Sequence, residues 1–208
     1  MAQMQVQKGA QANTSTVPFT MRGGYAGDGL VSELRARYYQ ATQDGVMFTA
    51  ATQALVTTTV GLATTYTGLV VSNPVTSTVN MVLNKASIMQ SVLQSTQVEA
   101  FAIGVGFNAT TNVTHTTPLA VRSNKIGSGL SSVGLADVSA TLPTAPFYQT
   151  FVTNTGTATA DSTGLQVCDL EGSIILIPGA YAMWVTPAQA SVAGMWFSFS
   201  WEELPILA

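Results

Sequence analysis

Charge is the scarcest ingredient of this chain. Only 7 Lys and Arg and 10 Asp and Glu stand among its 208 residues. That is 8% of the sequence, against roughly a quarter in an ordinary soluble domain. The net charge is −3, and phosphate binding rests on clustered Lys and Arg, so electrostatics predict neither nucleic acid nor an anionic membrane as a partner. One cysteine, Cys168, excludes an internal disulfide and leaves stability to packing or to neighbouring subunits. One histidine, His115, cannot by itself build a His-based metal site. Long hydrophobic runs are missing as well. The run 174–177 stops at Pro178-Gly179, far short of the ~20 residues a bilayer span needs. Met1 to Gln7 has neither the basic nor the apolar region of a secretory signal. Without one, the sequons at Asn13, Asn108 and Asn112 read as chance in a Thr-rich chain.

Thr, Ser, Gly, Asn and Gln take the place of charge, beside 47% hydrophobic residues. Such side chains solvate a surface without giving it a strong field. They are also cheap to desolvate, because a buried, hydrogen-bonded hydroxyl costs far less than a buried ion. This composition suits a protein that joins others over large areas, and it is poorly equipped for catalysis.

Residues 1–30 are rich in Gln, Gly and Asn, with Pro18 and the run 23–29 opposing regular structure. They predict an extended N-terminal arm, which at ~3.3 Å per residue would reach roughly 100 Å. An arm with no core of its own needs another chain to lie on. Residues 31–208 predict a single β domain. Within it, 32–43 reads as a short helix, with Ser32 as cap, Leu34, Tyr38 and Ala41 on one face, and Gly45 as its stop. The competing strand reading puts Arg35, Arg37 and Tyr39 on one face. Beyond Gly45, strands are predicted at 46–49, 68–72, 78–83, 99–107 and 147–152. In 99–107, Phe101, Ile103, Val105 and Phe107 share a face, and Gly104 and Gly106 on the other suggest close approach of another backbone. Segments 108–117, 122–134 and 154–164 read as polar loops. The strands 173–177, 181–186 and 195–201 predict a three-stranded meander. Many short strands between turn signals point to a mainly β, jelly-roll-like antiparallel sandwich.

Few constellations offer chemistry. His115 sits in loop-like sequence and reads as a surface residue. Cys168 lies beside Asp169 and near Glu171, which oppose thiolate formation, so it reads as a small core residue. On a regular strand Asp169 and Glu171 would share a face ~6–7 Å apart, a spacing suited to paired-carboxylate hydrolysis or a hard cation. The plainer alternative is a solvated turn before Gly172. Glu202 and Glu203 are adjacent and face opposite ways. The segment 129–134 is one residue too long for G-x-S-x-G, and neither a nucleotide loop nor C-x-x-C occurs. No catalytic residue, cofactor or metal is therefore predicted. Arg35, Arg37, Tyr38 and Tyr39 form a basic-aromatic cluster suited to a subunit interface. Trp196 and Trp201 lie on opposite strand faces, so one is expected in the core and the other at an interface. With Tyr25, Arg35, Arg37 and Tyr39, these two are the interface candidates.

Two blocks resemble virion structural proteins of tailed bacteriophages. One is Thr65-Tyr66-Thr67-Gly68-Leu69-Val70-Val71-Ser72-Asn73-Pro74, continuing through Val82-Leu83-Asn84-Lys85. The other runs from Gly172-Ser173-Ile174-Ile175-Leu176-Ile177-Pro178-Gly179-Ala180-Tyr181 to Phe197-Ser198-Phe199-Ser200-Trp201-Glu202-Glu203-Leu204-Pro205. Together they cover under half of the chain, and the Arg-Tyr-Tyr run at Arg37 is a weaker third point. The resemblance implies a β-rich, homotrimeric component of the virion. From it follows the expectation of a non-enzymatic capsid decoration or cement protein contacting the major capsid protein or another virion protein. The alternatives are a tail fibre, adaptor or spike protein contacting the host, and a carbohydrate-binding or hydrolytic β module using Asp169 and Glu171.

Overall fold

The computed structural model describes residues 5–6, 19–20, 36–90, 99–155, 165–187 and 191–206. The chain divides into two compact units, Met1–Arg37 and Tyr38–Ala208. In the first, β1 (Gln5–Val6) runs antiparallel to β2 (Phe19–Thr20), with Val6 opposite Phe19. A strand pair thus occurs where the composition predicted an unpaired extended arm. The rest of 1–35, including Tyr25 and Arg35, lies outside the described residues.

The second unit opens with α1 (Tyr39–Asp44). Its strands are β3 (Met47–Ala51), β4 (Val56–Thr58), β5 (Thr65–Ser72), β6 (Val79–Gln90), β7 (Glu99–Phe107), β8 (Thr114–Leu119), β9 (Arg122–Ser123), β10 (Leu135–Thr141), β11 (Phe147–Thr155), β12 (Leu165–Leu176), β13 (Ala180–Val185) and β14 (Ser191–Pro205). The helix is shorter than the 32–43 expected. It starts at Tyr39, with Tyr38 at its N-cap making no side-chain capping bond, and it buries none of its residues. Tyr38 is held from outside the helix instead. Its ring lies under the Lys85 ammonium, 5.4 Å from the centroid, and its hydroxyl donates to Asp169 at 3.5 Å. Gly45 ends the helix as predicted, in the left-handed region at φ 81°, while the Val46 N–H bonds Ala41 O at 3.1 Å.

Two antiparallel sheets form a sandwich. One has the order β11-β7-β13-β5-β10-β8, and the other β12-β6-β14-β3-β9, with β4 also paired to β14. Among the described residues no two consecutive strands of this unit pair with each other; β5, β6 and β7, for example, alternate between the sheets. The expected meander of the last three strands is therefore corrected. β13 lies between β5 and β7 in one sheet, whereas β12 and β14 flank β6 in the other. The Pro178-Gly179 corner explains the difference. Gly179 has φ 87°, its N–H bonds Asn73 O at 2.8 Å, and its carbonyl accepts the Asn108 N–H at 3.0 Å. A Cβ here would lie 2.2 Å from Asn108 O. The corner is tied to two other corners and carries the chain across the sandwich. Asn73 completes the tie, its buried amide donating to Val79 O and Leu176 O at 2.8 and 2.9 Å.

Strand alternation sets the core. In β14, Met195, Phe197, Phe199, Trp201 and Glu203 are buried, while Trp196, Ser198, Ser200 and Glu202 are only partly so. Phe101 and Ile103 of β7 and Trp184 of β13 meet them from the facing sheet. The Trp184 ring lies 5.9 Å from Phe197 and 5.7 Å from Phe199, within the range where aromatic pairs add to simple burial. β13 is buried at all six positions because Tyr181, Met183 and Val185 fill a second cluster with Tyr66, Val70, Val113 and Leu142. This also corrects the reading of the β7 glycines. The Tyr181 ring, not a backbone, lies over Gly106, and a Cβ there would sit 2.2 Å from its hydroxyl. That hydroxyl donates to Thr144 O at 2.6 Å.

Candidate functional site

One side of the sandwich opens into a groove of about 910 Å³ between β8, β9, the segment 124–134 and β10. His115 stands in its wall, on β8 rather than in the predicted loop, with its Nδ1–H donating to Asp137 Oδ2 on β10. Asp137 is fully buried, and burial raises its pKa although the hydrogen bond and charge of His115 pull the other way. The other oxygen, Oδ1, is buried without a hydrogen-bond partner among the described residues. Only when Asp137 is ionised does this bond fix the Nδ1–H tautomer of the imidazole.

A second buried carboxylate supports the same wall. Glu203 accepts from the Val133 and Gly134 N–H groups at 3.1 and 3.0 Å, from the Ser132 hydroxyl, and from the Trp201 indole N–H at 3.2 Å. Segment 132–134 is thereby pinned to β14. It leads into a strand, not the helix a nucleophile elbow requires. Arg122 and Lys125 also line the groove, and the Lys125 ammonium donates to Gln43 O at 2.9 Å. Among the described residues no Asp or Glu lines the groove. Among the described residues no hydroxyl or thiol is hydrogen-bonded to His115, so its pairing with Asp137 stands without an attached nucleophile.

On the opposite side, β11 and β12 are the outermost strands of the two sheets and touch each other. Phe147 and Phe151 of β11, Leu165, Val167 and Ile175 of β12, and the following Ile177 are each 48–66% exposed. Phe107, Phe147, Ile175 and Ile177 line a shallow groove between the strands.

The residues singled out in the sequence do not converge. Arg37 and Tyr39 are exposed, Trp196 is partly buried on the outer face of β14, and Trp201 is fully buried in the core. Trp201 therefore offers no surface to a partner. Asp169 and Glu171 do not share a regular strand face. The β12–β6 register shifts between Asp169 and Ile174, with Glu171 at φ 47° and Gly172 at φ 81°. Among the described residues no group of three or more His, Cys, Asp or Glu is placed to hold a metal. Cys168 is partly buried against the core, and burial, then the Asp169 charge, raises its pKa. Sequence reasoning missed Asp137 and the apolar β11–β12 side. An Asp inside the apolar stretch 135–140 was the available signal for the first. The chain matches no protein-family model, no curated protein and no solved structure.

Proposed function

We propose that this chain is a non-enzymatic structural component of a virion, a capsid decoration or cement protein that assembles as a homotrimer. The jelly-roll-like character of its sandwich belongs to the same reading. The observation that carries it is the β11–β12 side. Two adjacent outer strands with a row of exposed Phe, Leu, Val and Ile are what isolated proteins avoid, because unpaired edges recruit further chains. The six most exposed side chains on this side present on the order of 600 Å², close to the ~800 Å² each partner contributes to a standard stable interface. The occupant we assign is a second copy of the chain. A threefold axis beside this edge lets β11 of each copy meet β12 of the next, a heterologous contact that closes into a ring. Scarcity of charge supports the same reading, since little ionic desolvation opposes burial. The resemblance to tailed-phage virion proteins supplies the setting.

The test is a cryo-electron microscopy reconstruction of the phage particle that carries this chain. Trimeric density on the head shell is expected. Density confined to the tail or a fibre, or absence from the particle, would overturn the cement assignment.

A further inference from the structure

We infer that the groove beneath Arg122 and Lys125 binds a carboxylated saccharide. This goes beyond the assembly reading and does not depend on it.

Cationic side chains are rare here, yet two of the four Lys and Arg among the described residues line this one groove, together with the chain's sole histidine. The protein is acidic overall, yet among the described residues no carboxylate lines the groove. Two acids, Asp137 and Glu203, are buried behind the wall and occupied there. Asp137 holds His115, and Glu203 holds segment 132–134. Cations stand in front, carboxylates behind as supports. Arg122 is exposed, and no hydrogen bond or ion pair engages its guanidinium among the described residues. Its fork of donors is free for a carboxylate, which it matches in a bidentate manner.

The remaining wall selects what carries the carboxylate. Ser123, Ser128 and Ser131 offer hydroxyls, while Pro118, Leu119 and Leu135 offer apolar surface. Hydroxyls beside apolar patches suit a sugar ring, which has both kinds of face. The volume accommodates one to a few rings and is far larger than an inorganic anion. An extended acidic peptide fits less well. It would bind by adding a strand to β8 or β9, but β9 has two residues and Pro118 removes a donor from β8. Nucleic acid needs more cations than the groove holds.

Titration calorimetry on the purified full chain tests this with two carboxylated probes, trigalacturonate and sialyllactose. The neutral counterparts are galactotriose and lactose, with inorganic phosphate and a Glu-rich peptide as further arms. At least one carboxylated sugar is expected to bind, about tenfold or more tighter than its neutral counterpart. Arg122→Gln should weaken that binding about tenfold or more. Lys125→Gln, at a half-buried position, should weaken it too, and circular dichroism of both variants should match the parent. Failure of both carboxylated sugars to bind up to roughly 10 mM overturns the inference. So does equal binding of the neutral sugar, of phosphate or of the peptide, or binding that survives both substitutions.

Discussion

On one side of the sandwich, β11 and β12 leave Phe147, Phe151 and Ile175 in the open. On the other, β8 and β9 flank a groove with His115, Arg122 and Lys125 at its surface and Asp137 and Glu203 buried behind it. Both sides are ends of the same two sheets. What differs is where the few ionisable groups went. Asp169 and Glu171, exposed beside the β12 register shift, are the acids that β11 and β12 carry, so most of that edge is neutral. The groove side received cations in front and carboxylates behind. In a chain with so little charge, placement of two or three ions suffices to leave one edge apolar and the other lined by cations.

The largest expected effect removes both sides together. Trp201→Ala empties the core between the sheets and takes a donor from Glu203. It should cost about 3–5 kcal/mol in denaturant unfolding. A cost below about 1 kcal/mol would mean that this indole is not a core element. Glu203→Ala is more selective. It strands the Val133 and Gly134 N–H groups and should cost about 2–4 kcal/mol while loosening only the groove wall. Self-association should survive in this variant, and parallel loss of association would show that the two sides are coupled.

Phe151→Asp is the converse. It places a charge on the exposed β11 row and should weaken association by about tenfold or more, with little change in monomer stability. Unchanged sedimentation would remove β11 from the interface. The smallest effect concerns pH. Burial raises the folded-state pKa of Asp137, so the native protein holds this proton where the unfolded chain has released it. Stability from this group is full below the ordinary carboxylate value and falls as pH rises through the folded value. Asp137→Asn should therefore lose less thermal stability than the parent between about pH 4 and pH 7. The slope should shrink without vanishing, because Glu202 is shifted in the same direction and remains. Identical slopes would contradict this assignment.

The β class and most long strands were legible because alternation is a local property. Strand β7 spans the predicted 99–107, and the inward row of β14 follows from its Phe and Trp spacing. Most of β8 and all of β9 fell inside segments read as loops. Thr and Ser signal solvent, yet Thr is β-branched and pairs well in a ladder, as Thr114 and Thr117 do opposite β10. The meander failed for a different reason. Whether Pro-Gly closes a hairpin or carries the chain to the other sheet depends on contacts of Gly179 with Asn73 and Asn108, 106 and 71 residues away. The groove was invisible for the same cause, since His115 meets Asp137 and Ser132 meets Glu203 only through folding. Asp169 and Glu171 misled because a left-handed residue cannot be read from a Glu.

Sedimentation velocity of the purified chain at ~0.1 M and at ~1 M sodium chloride tests the central claim most directly. The Debye length falls from about 10 to about 3 Å over that range, while apolar burial is not weakened. A neutral, area-driven edge predicts a trimer at both concentrations, with no rise in the monomer fraction. A monomer at low salt, or a trimer that dissociates as salt is raised, would contradict it.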